Sequence, residues 1–274
     1  MISFRPSNIP HSQSTLIPSV LRSAWLLVAI LTTSNLSSNA ADKATSGDPI
    51  KALLVTGGCC HNYAFQSKQL MDHVAQAAKI NWTVINEGGT GTRGEIPLYQ
   101  KADWAKPYDV VIHNECFADT DNPEYIRRIT AAHKAGTPAL VIHCAMHTYR
   151  SWKSDDWREF LGVTSRHHEH QSNYEVIPNA AEKQHPTLKG FPNRWITPKD
   201  ELYIIEKVWP TTTILASSKS EKTGQSQPVI WVNNYHGTKV FGTTYGHSDD
   251  TFKDPVFLNL ITQGLLWCTG KTGN

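Results

Sequence analysis

Gly57-Gly58-Cys59-Cys60-His61 stands just after an apolar run, and two further apolar runs end in the same kind of chemistry. Val110-Val111-Ile112 leads into His113-Asn114-Glu115-Cys116, and Leu140-Val141-Ile142 leads into His143-Cys144 with His147 four residues on. Histidine serves as a general base or a metal ligand near neutral pH, glutamate as a proton acceptor or ligand, and cysteine as ligand, nucleophile or disulfide half. Three strands that each expel such groups at their C-terminal ends imply one pocket. In open α/β sheets the crevice outside those ends is where ligands bind.

The pool of donors is rich: His61, His113, Glu115, His143, His147, His170 and His247. Zinc takes imidazole nitrogen, thiolate sulfur and carboxylate oxygen from three or four ligands. His61, Glu115, His143 and His247 are the candidate set for a divalent metal such as zinc. The plainer reading is that they hydrogen-bond ligand, water or loop backbone, and no tight spacing singles out a set. His167-His168-Glu169-His170 also looks like a metal tract. Free backbone N–H groups after Gly57-Gly58 suit an anion or a sugar hydroxyl. Gly89, Gly91 and Gly94 match G-x-G-x-x-G, but Pro97 follows at once, so a loop is expected there rather than a dinucleotide site. Neither G-x-S-x-G nor H-E-x-x-H occurs.

Residues 1–40 carry Arg5 and Arg22, no acidic residue, an apolar stretch over 24–31 and then Ser38-Asn39-Ala40. That order reads as a signal peptide, too short in its apolar part to span a bilayer. The expected compartment is therefore periplasmic or extracellular, with no stable membrane insertion after cleavage. Arg5 and Arg22 removed, 24 of the 26 basic side chains remain against 24 acidic ones. Such a balance gives no basic face for nucleic acid and favours a neutral polar ligand. In an oxidising compartment at least one disulfide is expected among Cys59, Cys60, Cys116 and Cys144. The vicinal Cys59 and Cys60 are not easily assigned to each other. Cys268 reads as a buried small hydrophobe.

Residues 41–49 are a lead-in. Strands are expected at 51–56, 82–86, 109–113 and 138–143, with helices at 61–79 and 122–135 and a glycine-rich loop over 88–94. This alternation argues for a parallel sheet with helices on both faces. After about residue 150 comes a short helix to Phe160, then shorter strands at 174–177, 201–205, 213–216, 228–233 and 239–244. The last two read as a hairpin, and a helix over 255–268 closes the chain.

With Gly57-Gly58…His61, His113-Asn114-Glu115, Val141-Ile142-His143…His147, His185-Pro186, Asp200-Glu201-Leu202-Tyr203, Pro228-Val229-Ile230-Trp231 and Gly246-His247 in this order, the chain resembles the ThuA-like (trehalose-utilisation) family over roughly residues 50–271. The resemblance implies a single α/β domain with the flavodoxin-like fold of class I glutamine amidotransferases, elaborated by extra β-strands in its second half. It also implies carbohydrate utilisation. In the amidotransferases a nucleophilic cysteine stands at the turn after a strand. Here His143 takes that place and Cys144 follows one residue later, so glutaminase activity is not expected.

The expected function is processing of a glycoside or an oxidised (keto) sugar, by hydrolysis, elimination or isomerisation. His61, Glu115, His143 and His247 would be the catalytic or metal-binding groups. Gly58, His113, Asn114, His147, Glu201, Tyr203 and Trp231 would bind the sugar, with Trp152 a second aromatic platform. The alternatives are a non-catalytic carbohydrate-binding or sensing module, and a cysteine amidohydrolase using Cys144 and His247.

Overall fold

The computed structural model describes residues 47–272, so the expected signal peptide and most of the lead-in lie outside the described residues. Among the described residues no helix is long and apolar enough to cross a membrane.

The first half is four strands and two helices: β1 (Ile50–Gly58), α1 (Tyr63–Val74), β2 (Ile80–Asn86), β3 (Val110–Cys116), α2 (Pro123–Lys134) and β4 (Ala139–Ile142). The second half holds α3 (Asp156–Leu161), β5 (Val163–Ser172), β6 (Glu175–Pro178), β7 (Trp195–Ile196), β8 (Asp200–Val208), β9 (Thr212–Lys219), β10 (Ser226–Tyr235), β11 (Thr238–Thr243) and α4 (Pro255–Cys268). Nine strands form one sheet in the order β2-β1-β3-β4-β11-β10-β9-β6-β7, while β5 and β8 make a separate antiparallel ribbon. β1 to β4 are mutually parallel, β11 lies parallel to β4, and beyond β11 the pairing turns antiparallel. The flavodoxin-like order and the added strands are both present.

The stretches 52–55 of β1, 110–112 of β3 and 139–142 of β4 are Val, Ile, Leu and Ala buried on both faces, as a covered parallel sheet requires. Alternation divides them. Leu54, Ile112, Leu140 and Ile142 join one core with residues of α1 and α4, while Leu53, Val55, Val111 and Val141 join the other with residues of α2 and α3. Helix starts follow capping chemistry. Asn122 accepts from the N–H groups of Glu124 and Tyr125 before Pro123-led α2, and Asp254 does the same for Val256 and Phe257 in α4.

Three local expectations need correction. α1 covers 63–74, because Asn62 caps it and leaves His61 outside, free to face the pocket. The tract His167-His168-Glu169-His170 belongs to β5, a strand whose polar, mostly exposed residues hid its period. Cys59 and Cys60 are joined to each other, and Cys116 to Cys144. Cys268 is buried and free, as expected.

Candidate functional site

β1 ends in a turn that only glycine fits. Gly58 takes φ +86°, and a Cβ there would lie 2.0 Å from the carbonyl oxygen of Cys116 on the neighbouring strand. The turn delivers His61 to the sheet's C-terminal edge. β4 ends directly at His143, which holds a left-handed backbone (φ +48°), a costly conformation for a residue with a side chain. β11 is followed by Gly246 and His247. Their backbone N–H groups donate to the buried carboxylate of Asp200, at 3.0 Å and 3.2 Å. Asp200 also accepts from Glu201 N–H and the Thr251 hydroxyl, and burial raises its carboxyl to about 7.

The three imidazoles form a near-equilateral triangle, with ring centres 5.1 Å apart for His61 and His143, 5.1 Å for His61 and His247 and 5.3 Å for His143 and His247. One nitrogen of each lies within 4.8 Å of the others. The outer nitrogens of two are held by backbone: His61 Nδ1 lies 3.3 Å from the His247 carbonyl oxygen and His143 Nδ1 2.7 Å from that of Thr244. His61 Nε2 and His247 Nδ1 are buried with no hydrogen-bond partner. Burial and the nearby His247 lower His61 to about 4, and burial with His61 lowers His143, so these rings are neutral at pH 7 with lone pairs to offer. Glu201 reaches the same centre: its carboxylate lies 3.6 Å from His143 Nε2, 3.5 Å from His247 Nδ1 and 3.6 Å from His168 Nε2.

Around this centre lies a pocket of about 230 Å³. One wall is aromatic: Tyr203 stacks on His147 at 3.9 Å and its hydroxyl donates to His143 Nε2 at 3.3 Å, while His147 Nε2 lies 2.9 Å from the Ser165 hydroxyl. The other wall is sulfur, the Cys59–Cys60 and Cys116–Cys144 disulfides, with Thr92 and Arg150 also lining the pocket. A larger cavity of about 620 Å³, lined by Lys183, His185 and Phe191 among others, includes none of the clustered His or Cys donors.

The expected site residues divide. His61, His143, His147, Glu201, Tyr203 and His247 all line the pocket. Gly58 shapes the turn behind it. Glu115, expected as the carboxylate partner, does not reach the centre: it is fully buried, bonded to His113 Nδ1 at 2.9 Å and to the Tyr99 hydroxyl at 3.3 Å. The cause is strand alternation, since His113 and Glu115 share β3's other face with Val111. His113 meets His133 at 3.0 Å there and touches no ligand space. Asn114 faces the correct side but donates to Gln66, which in turn donates to the Gly246 and His247 carbonyls, so it positions a loop. Trp231 is core, its indole N–H donating to the Leu161 carbonyl, and Trp152 bonds Asp156 outside the pocket. His170 pairs with exposed Glu221. Sequence reasoning missed the roles of Asp200 and Gln66, and it placed the four cysteines at the pocket without their pairing. Cys144, tied in a disulfide, presents no thiolate, which removes the cysteine amidohydrolase reading for this oxidised form.

A ThuA-like protein from Parabacteroides merdae has a similar fold (TM-score 0.68, 21% identity, 83% of this chain and 92% of that one). A second, from Bacteroides uniformis, gives TM-score 0.63 at 15% identity over 81% and 92%. An E3 ubiquitin-protein ligase, DTX4 of Mus musculus, is 30% identical over 106 residues, which are 34% of this chain and 17% of the ligase. The chain thus matches about a sixth of that protein's length. The family model described as ThuA, trehalose utilisation, matches residues 51–268, nearly the whole of the described domain, and the chain belongs to that family.

Proposed function

We propose that this chain is a metal-dependent, carbohydrate-processing enzyme that works at the His61–His143–His247 centre on a glycoside or keto sugar. The observation that carries the reading is the set of converging imidazole nitrogens: two of them buried without hydrogen-bond partners, a third beside them, and Glu201 within 3.6 Å of His143 and His247. Buried polar atoms are normally satisfied, so such a set fits a divalent cation as their partner. Zinc–nitrogen bonds of about 2.0–2.1 Å need only a closing movement on the order of 1 Å. A divalent cation bound there supplies Lewis-acid polarisation of a sugar hydroxyl or carbonyl.

The remaining chemistry belongs to the chain. Glu201 accepts or returns a proton at the substrate, its carboxylate held among three imidazoles. Tyr203 and His147 give a flat face and the disulfides an apolar one, between which a ring of monosaccharide size can lie. The backbone carbonyls of Thr244 and His247 fix the tautomers of His143 and His61. Family membership supports the carbohydrate class, and the two disulfides support export to an oxidising compartment.

The test is metal analysis of untagged protein, zinc titration of wild type and His143→Ala, and a sugar and keto-sugar screen read by mass spectrometry. Stoichiometric zinc lost in His143→Ala, with a new product from one sugar class, is expected. Zinc binding indifferent to His143 would overturn the centre. Binding of a sugar without product would make the chain a binding module instead.

A further inference from the structure

The sulfur wall is more than a lining. Cys59 Sγ and Cys116 Sγ, members of different disulfides, lie 3.7 Å apart. In a tetrahedral zinc site with Zn–S bonds of about 2.3 Å, sulfurs stand roughly 3.8 Å apart. Cys116 and Cys144 also lie within 4.8 Å of a ring nitrogen of His61, and Cys59, Cys60 and Cys116 lie equally close to one another. His61 therefore belongs to two donor sets, one of nitrogen and one of sulfur. Its Nδ1 is held by the His247 carbonyl, which leaves a single lone pair, on Nε2, to give.

We propose that the wall is a latent metal site of Cys59, Cys116, Cys144 and His61, closed by the two disulfides and opened by a dithiol reductant, for a thiophilic d¹⁰ cation such as zinc or cadmium. This goes beyond the proposed activity and does not depend on it. Access is graded: Cys60 is exposed, Cys59 half-buried, and Cys116 and Cys144 buried. A dithiol thiolate attacks Cys60 Sγ, forming a mixed disulfide and releasing Cys59 as thiolate. That thiolate attacks Cys116 Sγ at the 3.7 Å contact, forming Cys59–Cys116 and releasing Cys144 thiolate. The reductant's second thiolate then frees Cys60 and leaves as a cyclic disulfide. A second dithiol reduces Cys59–Cys116 in the same way, so four electrons give four thiols and two oxidised dithiols. His61 Nε2 serves one ion at a time, and the redox state decides whether the nitrogen or the sulfur set claims it.

The experiment uses the whole mature chain, oxidised or reduced by dithiothreitol and desalted without oxygen, titrated with cadmium(II) and read by the ultraviolet thiolate-to-metal absorption. No such band is expected in the oxidised protein, and one saturating at a single cadmium per chain in the reduced protein. It should vanish in Cys116→Ser/Cys144→Ser, weaken at least tenfold in affinity in His61→Ala, and be unchanged in Cys268→Ser. One equivalent of dithiol should yield a Cys59–Cys116 cross-link in peptide mapping. A reduced protein with no band, a band that persists in the double serine variant, or loss of the cooperative thermal transition on reduction would overturn the site. Cys59 and Cys60 both reduced beside an intact Cys116–Cys144 bond would overturn the relay. His143→Ala separates the two readings, because it removes zinc from the oxidised protein and leaves the cadmium band in place.

Discussion

His143 Nδ1 lies 2.7 Å from the carbonyl oxygen of Thr244, one residue beyond the end of the strand that pairs with β4. The bond places the ring proton on Nδ1 and leaves the Nε2 lone pair for the pocket, where the Tyr203 hydroxyl reaches it at 3.3 Å, so the last hairpin sets the tautomer of a residue about a hundred positions earlier.

Replacing His143 by Ala should leave a folded protein, with a loss of about 1–3 kcal/mol typical of a buried polar truncation. Zinc affinity should fall by more than the roughly 10–100-fold that removal of an outer partner costs. Glu201→Gln keeps the shape and removes the charge, and is expected to weaken zinc while leaving the melting temperature within a few degrees. Calorimetric titration beside a thermal melt reads both effects. Wild-type affinity in His143→Ala would remove this residue from the centre.

Val141 is fully buried in β4, between β3 and β11. Val141→Asp places an unpaired carboxylate in the middle of the sheet and should cost on the order of 4–5 kcal/mol or more, enough to unfold the domain. Circular dichroism showing native ellipticity and a cooperative melt would contradict this.

Gly58→Ala asks a Cβ to sit 2.0 Å from a backbone oxygen at φ +86°. Left-handed strain alone costs about 1–2 kcal/mol, and here the carbonyl of Cys116 must also move. A loss above about 2 kcal/mol in urea denaturation is expected, with the sulfur wall displaced. A change under half of that would mean the turn is softer than its contacts indicate.

Buried neutral histidines make stability depend on acid. Burial, then His247, holds His61 at about 4. Burial, then His113, holds His133 at about 3, and burial, then Arg150, holds His147 at about 3. Unfolded, each titrates near 6.5. Because the folded values are depressed, the unfolded chain binds these protons first. Stability is full above about 6.5 and falls as the pH drops towards 4 for His61 and 3 for the other two. The slope is about 1.4 kcal/mol per pH unit for each histidine that stays neutral in the fold. Urea midpoints at pH 7.5, 6 and 5 measure it, and constant midpoints across that range would contradict the burial of these rings as neutral groups.

The parallel half of the fold was legible because β1, β3 and β4 are built on short apolar runs and because Asn122-Pro123 and Asp254-Pro255 announce their helices. His61 and His143 were legible for the same reason, since β1 and β4 end where their apolar runs give out, whereas β3 runs on past its apolar residues to Cys116 and keeps His113 inside the strand. Which face a side chain takes was harder. Glu115 and Asn114 both missed their expected places in the pocket, one bonded to His113 in the core and the other to Gln66, because a strand's alternation can be read only once its phase against both cores is known. β5 was hidden because a two-stranded ribbon with one packed face needs few apolar residues. Asp200 looked like an ordinary acid, since the four donors that surround it come from residues 201–251 and meet only in space. Trp231 read equally well as platform or core, and the Leu161 carbonyl that claims its N–H decides for core.

His61 and the His247 carbonyl that steadies it are 186 residues apart in the chain. Growing from its N-terminus, the polypeptide has made His61 and His143 long before β11 and the loop behind it exist. No partial chain can hold the completed triangle, so an ion cannot template early folding and must be acquired by a domain already formed. Premature termination anywhere before residue 247 yields a product without the centre, whatever part of the sheet it manages to build.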